Sequence, residues 1–242
     1  GSVIWENREV ADYVFMLSSV VTKTQRLVAV SYRNGNISLI DASSGTTLWR
    51  NLFTGFSWFG IHIPSYICIA DVAPSPGFEV VAANSEDDVR VWAQNGTELW
   101  SADLGRNVFT NPIGVGNFSE SQYGDIVLVH FNGSVSVLHG TNGSLYYHLD
   151  GLNDINQNVP PVVLDLNNDG YDDFVVGGHH VMAFDGHTGA LLYNSSHYDS
   201  SNTYRVFVDD FDSDSQFEIV SMTSAKVIFE EMASGRLVWT YS

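Results

Sequence analysis

The segment Asp165-Leu-Asn-Asn-Asp-Gly-Tyr-Asp-Asp173 indicates how the rest of the chain is organised. Side-chain oxygens recur at its first, third, fifth and ninth positions, which are Asp165, Asn167, Asp169 and Asp173. Gly170 stands at the sixth position, where such a loop must turn sharply. A hard cation such as Ca²⁺ takes about six to eight oxygen ligands, and this alternation wraps the oxygens around one point. With the backbone carbonyl of Tyr171 as a further ligand, the segment predicts a calcium-binding loop.

Short apolar runs, at 161–165 and 173–177, flank this loop on both sides. Their β-branched residues are typical of strands, so the loop joins two strands. It is therefore not the helix–loop–helix of an EF-hand, whose glutamate at position twelve it also lacks. The alternative is an acidic turn exposed to water, because Asn-Asp-Gly is common turn sequence. Four spaced oxygens together with the glycine favour the cation loop.

The same spacing recurs at 210–218, which predicts a second calcium loop. Its ligands would be Asp210, Asp212, Asp214, the Gln216 carbonyl and Glu218, and Ser215 replaces the glycine. Degenerate copies lie at 71–79, 117–125 and 18–26. The final positions of the last four copies, Glu79, Asp125, Asp173 and Glu218, are 46, 48 and 45 residues apart. The loop is thus one part of a repeat.

A second signature has the same period and consists of a glycine followed four residues later by an aromatic residue. The glycines are separated by 51, 47, 46 and 46 residues. The pairs are Gly45 with Trp49, Gly96 with Trp100, Gly143 with Tyr147, Gly189 with Tyr193, and Gly235 with Trp239. Asn-Gly between strands is a strong hairpin signal, so we expect type I′ turns with positive φ at Gly96 and Gly143.

One repeat therefore contains four strands in about 40–50 residues, which is the pattern of a propeller blade. The predicted fold is an all-β propeller of four-stranded antiparallel blades, forming one domain over 1–242. The five repeats are approximately 12–49, 50–100, 101–147, 148–193 and 194–242. The aromatic signature also fits the first five residues, so 1–11 is expected to form an extra strand. We expect a closed five-bladed ring, and the alternative is a slice of a larger propeller.

The two signatures resemble two known repeat families. The acidic loop with its flanking strands resembles the FG-GAP repeat of integrin α-chain propellers. The half that contains the glycine, clearest at 185–193, resembles the repeat of PQQ-dependent quinoproteins. Together these resemblances cover about residues 12–242. The integrin-like arrangement implies that partners bind the face opposite the calcium loops.

One connection on that opposite face is longer than the others. It takes 22 residues from Trp49 to Asp71, where the three later connections take 17, 18 and 17. An aromatic-rich insertion in a surface loop is a candidate ligand-binding patch. The residues assigned to this patch are Phe56, Trp58, Phe59 and His62. The alternative is that these rings fill the centre of the propeller or cover a blade edge.

Composition excludes several functions. A net charge of −18 argues against nucleic acid, whose phosphates require basic residues. No apolar run is long enough to span a membrane, so this segment is not expected to insert directly. No nucleophile elbow or phosphate loop occurs, and no catalytic or organic-cofactor residue is assigned. The resemblance to quinoproteins does not extend to their activity, since such enzymes usually have eight blades and often paired cysteines, whereas Cys68 is alone.

The leading hypothesis is a non-enzymatic, calcium-stabilised binding or adhesion propeller located outside the cell or on its surface, with a protein or glycan ligand. The alternative is a carbohydrate-active propeller enzyme. Six N-x-S/T sequons support an extracellular glycoprotein, at Asn36, Asn95, Asn117, Asn132, Asn142 and Asn194.

Overall fold

The computed structural model describes residues 4–7, 12–55, 57–58, 61–62, 65–86, 88–105, 110–130, 132–152, 155, 159–195 and 203–241. Within that part of the chain, the regular structure consists of 22 strands and no helix. Twenty of these strands form five four-stranded sheets, and in each sheet the strands pair in chain order. The prediction of an all-β propeller with five blades is therefore confirmed.

The blades follow one another along the sequence. Blade 1 contains β1 (Val14–Val21), β2 (Arg26–Tyr32), β3 (Asn36–Asp41) and β4 (Thr46–Leu52). A small hairpin, β5 (Ser57–Trp58) and β6 (Ile61–His62), precedes blade 2, which contains β7 (Tyr66–Ala70), β8 (Glu79–Ala83), β9 (Asp88–Trp92) and β10 (Glu98–Asp103). Blade 3 contains β11 (Thr110–Gly116), β12 (Asp125–His130), β13 (Val135–Leu138) and β14 (Leu145–Leu149).

Two further blades complete the described chain. Blade 4 contains β15 (Val162–Leu164), β16 (Asp173–Gly177), β17 (Val181–Phe184) and β18 (Leu191–Asn194). Blade 5 contains β19 (Arg205–Asp209), β20 (Glu218–Met222), β21 (Val227–Glu231) and β22 (Arg236–Tyr241). In every blade the strands are named A to D in chain order. The acidic loops therefore connect strands A and B, and the glycine turns connect strands C and D.

The chain divides into two compact units, which are 1–113 with 140–144, and 114–139 with 145–242. The core of the first unit includes Ile37, Leu39, Val80 and Trp92. In the second unit, one core cluster forms around Phe118, Phe174 and Phe184, and another around Val175 and Ile219. Strands B and C carry most of these residues, because both of their faces are covered and they are apolar almost throughout.

The glycine–aromatic signature is explained by contacts between successive blades. The Trp49 indole N–H donates to the Gln94 carbonyl at 3.0 Å, and the Trp100 indole N–H donates to the Gly140 carbonyl at 2.7 Å. The Tyr147 hydroxyl donates to the Gly186 carbonyl at 2.8 Å in the same way. In each case an aromatic residue of strand D reaches the C–D turn of the next blade.

The glycine of each such turn leaves room for the aromatic ring. A Cβ added at Gly96 would lie 2.8 Å from Trp49, and one at Gly143 would lie 2.5 Å from Trp100. At Gly189 the corresponding distance to Tyr147 is 3.1 Å. The repeat therefore keeps a glycine where the ring of the preceding blade lies against the backbone.

The turns themselves differ in type from the prediction. Positive φ is confirmed at Gly96 (87°) and Gly143 (72°), but the preceding residues Asn95 and Asn142 are not among the residues with positive φ. A type I′ turn needs positive φ at both central residues, so that prediction is wrong. The Ala93 N–H donates to the Thr97 carbonyl, and the Gly96 N–H donates to the Ala93 carbonyl, both at 2.9 Å. This is a three-residue loop with a glycine bulge, which the same Asn-Gly sequence also suits.

The N-terminal segment is described only at residues 4–7, which are irregular rather than strand. Trp5 nevertheless occupies a docking position of the same kind: its indole N–H donates to the Ala42 carbonyl at 2.8 Å, and its ring lies against Gly45. The extra strand over 1–11 and the exact repeat boundaries stay predictions.

Replacing Gly143 by Val should destabilise the protein strongly. The positive φ would cost about 1–2 kcal/mol for a residue with Cβ, and overlap with Trp100 would add about 1–3 kcal/mol. Denaturant unfolding measures the difference.

Gly235→Val is the matched control, because Gly235 has φ 65° but no atom within 4 Å of its added Cβ. We expect that variant to lose only the backbone contribution. Equal losses in the two variants would contradict a steric role for the Trp100 ring.

Candidate metal centres

The loop 165–173 is folded around its first carboxylate. The Asp169 N–H donates to Asp165 Oδ1 at 3.2 Å, and the Gly170 N–H donates to Asp165 Oδ2 at 3.1 Å. The Asp169 N–H also reaches Asn167 Oδ1 at 2.9 Å. Positive φ occurs at the fourth and sixth positions, where Asn168 has 60° and Gly170 has 92°. These bonds turn the chain so that the first, third and fifth side chains lie on its inner side.

The loop 210–218 has the same conformation with different residues. The Asp214 N–H donates to Asp210 Oδ1 at 3.0 Å and to Asp212 Oδ1 at 3.2 Å. The Ser215 N–H donates to Asp210 Oδ2 at 3.1 Å. Ser213 and Ser215 hold the two positions of positive φ, at 63° and 71°. Because serine disfavours this conformation, its occurrence at Ser215 shows that the loop geometry is kept without the glycine.

Carboxylates converge more closely in the second loop. Asp210, Asp212 and Glu218 each have a ligand oxygen within 4.8 Å of the others, and they form such a group among the described residues. In the first loop Asn167 stands at the third position, so its predicted ligand set has three carboxylates where that of the second loop has four. Both oxygen sets fit a hard cation such as Ca²⁺.

The fifth-position carboxylates also hold the seventh residues in place. The Tyr171 N–H donates to Asp169 Oδ1 at 2.8 Å, and the Gln216 N–H donates to Asp214 Oδ1 at the same distance. Ligation by the Tyr171 and Gln216 carbonyls stays a prediction, as does cation binding by both loops.

The ninth-position acids have a structural role that the sequence reading missed. Glu79, Asp125, Asp173 and Glu218 each begin strand B and are at most 2% exposed. The second residue of the loop donates its N–H to this carboxylate at 2.9 Å for Glu79 and at 2.8 Å for both Asp173 and Glu218. The acid therefore closes the loop from inside, even at 71–79, where Ala73 and Ser75 replace the acids of the third and fifth positions.

Burial and neighbouring charge raise the pKa of Glu218 and Asp173. For Glu218, burial raises the pKa, a backbone hydrogen bond from Phe211 lowers it, and Asp212, Asp214 and Asp210 raise it further. For Asp173, burial is again the main cause of a raised pKa, and Asp185 of the C–D turn adds to it. A bound cation would favour the ionised forms of both groups, because it supplies the opposite charge.

The C–D turn of blade 4 contributes two residues beside the first loop. Asp185 Oδ2 accepts a long hydrogen bond of 3.5 Å from the Asn167 amide. His187 stacks on Tyr171, with ring centroids 4.1 Å apart, and its Nδ1 donates to the Phe118 carbonyl at 2.9 Å. The distance in sequence between these residues explains why the loop motif alone did not reveal them.

The side chains of the predicted ligand patch lie outside the described part of the structure. Phe56 and Phe59 lie outside the described residues, and Trp58 and His62 are described only as backbone of β5 and β6. The longer connection does contain this additional hairpin, and its role in ligand binding stays a prediction.

His130, at the end of β12, is completely buried. Its Nε2 lies 2.8 Å from Ser136 Oγ, and Ser136 Oγ lies 2.9 Å from His148 Nδ1. His148 Nε2 in turn lies 2.8 Å from Asp150 Oδ1, a carboxylate at the surface. The arrangement resembles a catalytic serine–histidine–aspartate set, but Ser136 is 0% exposed and therefore out of reach of a substrate.

The blades with glycine–aromatic docking define the chain as a β-propeller of PQQ-like repeats. The family model PQQ_2, described as outer membrane protein assembly factor BamB, matches residues 1–241. The chain therefore belongs to this family. No protein of established annotation matches it significantly in sequence.

Two solved structures show the same fold. BamB from Moraxella catarrhalis has 13% identity and a TM-score of 0.68, and the match covers 100% of this chain and 68% of that chain. Sqt1 from Saccharomyces cerevisiae has 12% identity and a TM-score of 0.66, covering 94% of this chain and 61% of that chain. At such identities the likeness establishes the fold and not the function. Among the described residues, no helix has the length and apolar character needed to cross a bilayer.

The acid at 79 should make stability depend on pH. Burial raises the pKa of Glu79, although the Ser75 hydroxyl and backbone N–H groups act in the opposite direction. The Glu79 carboxyl group therefore binds a proton more tightly in the folded protein than in the unfolded chain. This proton binding stabilises the fold fully below the unfolded pKa of about 4.3. The stabilisation is lost as pH rises through the pKa of Glu79 in the folded protein. In chelator, Glu79→Gln should flatten that part of the curve of unfolding free energy against pH. A variant with the slope of the parent would contradict the assignment.

Proposed function

We propose that this chain is a non-enzymatic, calcium-stabilised propeller that binds a protein partner outside the cytoplasm. The main support is that two loops of different sequence, 165–173 and 210–218, share one set of backbone-to-carboxylate hydrogen bonds. In both loops the first, third and fifth side chains face inward and the ninth acid is buried. Like charges held this close repel one another, and a bound cation would offset that repulsion.

Calcium fits these loops better than magnesium does. The first loop offers carboxylate, amide and backbone oxygens, the second offers carboxylate and backbone oxygens, and Ca²⁺ accepts such irregular sets. Magnesium demands a nearly ideal octahedron and keeps several of its waters. The resemblance of the loops to FG-GAP repeats points the same way.

Protein binding is supported by family membership. The matching family is described as an assembly factor, and we infer a similar role as an interaction scaffold for this chain. Propellers present rigid loops for this purpose, and the inserted hairpin formed by β5 and β6 is such a loop. A protein ligand is therefore our first choice. Binding of a glycan would be a more specific form of this interaction role. Adhesion would be a more specific result of it.

An extracytoplasmic location is supported by the predicted need for calcium and by the sequons. Asn194 is exposed at the end of β18, where a glycan would have room. Asn95 and Asn142 are also exposed, but the side-chain oxygen of each accepts a hydrogen bond from the N–H of the residue two positions later. This turn bond is sufficient to explain an asparagine at both positions. Asn194 is therefore the most informative sequon.

Calcium should raise the stability of the protein. For a site filled only in the folded state, the gain is about 2.7 kcal/mol at a hundredfold excess over Kd. Chelator should therefore lower Tm, and Asp169→Ala should remove most of the share of one ion. Differential scanning calorimetry with and without calcium measures both effects.

Asp71→Ala provides the control, since the loop of Asp71 keeps only its first and ninth acids and has Ala73 and Ser75 at the third and fifth positions. That variant should keep the full calcium-dependent shift. A parent protein whose Tm is the same in calcium and in chelator would rule out calcium stabilisation.

The location is tested on protein from its native source, in a host able to glycosylate. Intact mass should exceed that of the polypeptide, and the Asn194→Gln variant should lose one glycan. Recovery of bare polypeptide in the cytoplasmic fraction would overturn the extracytoplasmic location.

The interaction role is tested by site-specific photocrosslinking from position 57 of β5, in native extract with and without calcium. We expect crosslinks to one discrete protein at this position and none from the exposed control position 191 of β18. Identical products from the two positions would count against a binding role for the hairpin.

A further inference from the structure

Four of the five C–D turns hold an aromatic ring against their glycine, and the turn of blade 5 does not. We call the space between this glycine and the preceding aromatic segment the docking slot of a blade. A Cβ added at Gly45, Gly96, Gly143 or Gly189 would lie 2.5–3.1 Å from the ring in the slot. At Gly235 nothing in the described part of the chain lies within 4 Å of the added Cβ. The docking slot of blade 5 is therefore open.

The open slot has the same backbone conformation as a filled one. The Gly235 N–H donates to the carbonyl four residues earlier at 2.8 Å, and the Gly189 N–H does the same at 2.8 Å. Their φ angles are 65° and 74°. The carbonyl that accepts the ring donor in blade 4 belongs to Gly186, and its equivalent in blade 5 belongs to Met232. Within the described ranges, no donor bonds to the Met232 carbonyl.

The strand-D aromatic residue next to this slot, Tyr193, points deeper between the blades. It is part of a core cluster with Ile219, and its hydroxyl is buried near Ser195 and Glu230. Ser195 Oγ lies 2.9 and 2.7 Å from the two carboxylate oxygens of Glu230. Burial raises the pKa of Tyr193, and the charge of Glu230 raises it further. Blade 5 thus presents a polar pair to this phenol inside the interface between the blades.

The position of Glu230 is a large apolar or aromatic residue in the other four blades. Glu230 follows Phe229, the cross-strand partner of the aromatic residue on strand D. The equivalent residues, all buried, are Ile40, Trp92, Leu138 and Phe184. Such side chains offer no carboxylate to a ring donor, so the donor bonds to the turn carbonyl instead. The glutamate therefore gives a physical reason for the absence of Tyr193 from the slot.

A cavity of about 400 Å³ opens at this place, lined by residues 192–194 and 232–235. Both segments belong to the second compact unit and come from two consecutive blades. The open slot is thus an internal feature of that unit. Asn194 follows Tyr193 in the strand, so the pleat directs its side chain to the opposite face. A glycan at Asn194 would leave the slot accessible.

The slot of blade 1 shows that a short segment is sufficient to fill a slot. The Trp5 indole N–H donates to the Ala42 carbonyl at 2.8 Å, and the Asn7 amide donates to the Gly45 carbonyl at 3.0 Å. Residues 4–7 are irregular, so this segment binds without belonging to a sheet. One ring and one amide therefore occupy the slot.

The slot of blade 2 is filled by the same pair of residue types. The Trp49 indole N–H donates to the Gln94 carbonyl at 3.0 Å, and the Asn51 amide donates to the Gly96 carbonyl at 3.1 Å. The residue between the tryptophan and the asparagine is an arginine here and a glutamate in the first segment. Opposite charges are thus tolerated at that position, and recognition depends on the tryptophan and the asparagine.

We propose that the open slot of blade 5 is a peptide-binding site, and that its ligand is a Trp-x-Asn segment of a partner protein. The indole would donate to the Met232 carbonyl and the asparagine amide to the Gly235 carbonyl. Both Trp-x-Asn segments of this sequence, at Trp5 and Trp49, already fill other slots. The site goes beyond the interaction role proposed above, because it does not involve the β5–β6 hairpin.

The unglycosylated full chain, titrated with the capped tetrapeptide Ile-Trp-Glu-Asn and followed by ¹H–¹⁵N NMR, tests the site. This peptide has the sequence of residues 4–7. The signals of Met232 and Gly235 should shift and saturate as the peptide approaches about 2 mM. The signal of Gly45 should stay in place, because Trp5 holds that slot. A titration without saturable shifts at Met232 and Gly235 would overturn the proposal.

Variants of the peptide and of the turn test the specificity. Leucine in place of the tryptophan should weaken binding at least tenfold, and alanine in place of the asparagine about fivefold, as expected for one hydrogen bond. Gly235→Val should weaken binding at least tenfold, because its side chain enters the slot. Gly151→Val is the matched control, since Gly151 has φ 79° and open space around an added Cβ but lies outside every C–D turn. Equal affinities of Gly235→Val and the parent would also overturn the proposal.

Glu230→Leu tests why the slot is open, with circular dichroism to check folding. Leucine is the residue that blade 3 has at this position, so the variant should let the Tyr193 ring return to Gly235. We expect at least tenfold weaker peptide binding and a nuclear Overhauser effect between the Tyr193 ring and the Gly235 Hα. Binding equal to that of the parent, without this Overhauser effect, would overturn the role of Glu230 in keeping the slot open.

Discussion

Consecutive blades are held in register by an aromatic ring that lies against a glycine and donates a hydrogen bond to a turn carbonyl. Trp49, Trp100 and Tyr147 each make this contact, and each combines apolar burial with one polar bond worth about 1 kcal/mol net. The ring can approach only because the turn residue has no side chain. One contact therefore fixes the C–D turn, strand D and the position of the neighbouring blade. This explains why the glycine and the aromatic residue recur with the same period.

Carboxylates perform two different tasks in the A–B loops. The ninth acid is buried in blades 2 to 5, and in blades 2, 4 and 5 it accepts the N–H of the second residue of its loop, so it contributes to the fold there. The first, third and fifth positions all carry a carboxylate or an amide only in the last two blades, where these residues are partly or fully exposed. A loop such as 71–79 keeps its first and ninth acids after losing those of the third and fifth positions. The buried ninth acid thus gives a structural reason for an A–B loop to keep its length in a blade where no ion is predicted.

The period of the sequence was sufficient to predict the blades, because each strand and turn repeats a local pattern. The burial of Glu79 or Asp173 could not be predicted that way, since an acid in a loop looks the same whether it faces water or the backbone. The turn type at Gly96 was wrong because Asn-Gly suits both a type I′ turn and a three-residue loop.

The buried chain of polar groups in blade 3 fixes the positions of its protons. Asp150 accepts only, so His148 Nε2 must carry a hydrogen, and neutral His148 must then accept at Nδ1. The single hydroxyl proton of Ser136 is therefore committed to His148, and His130 has to supply its own Nε2 hydrogen to the serine. If His148 gained a second proton, the hydroxyl would rotate and His130 would have to adopt its other tautomer. Protonation near the surface would in this way be transmitted to a completely buried ring without any movement of the backbone.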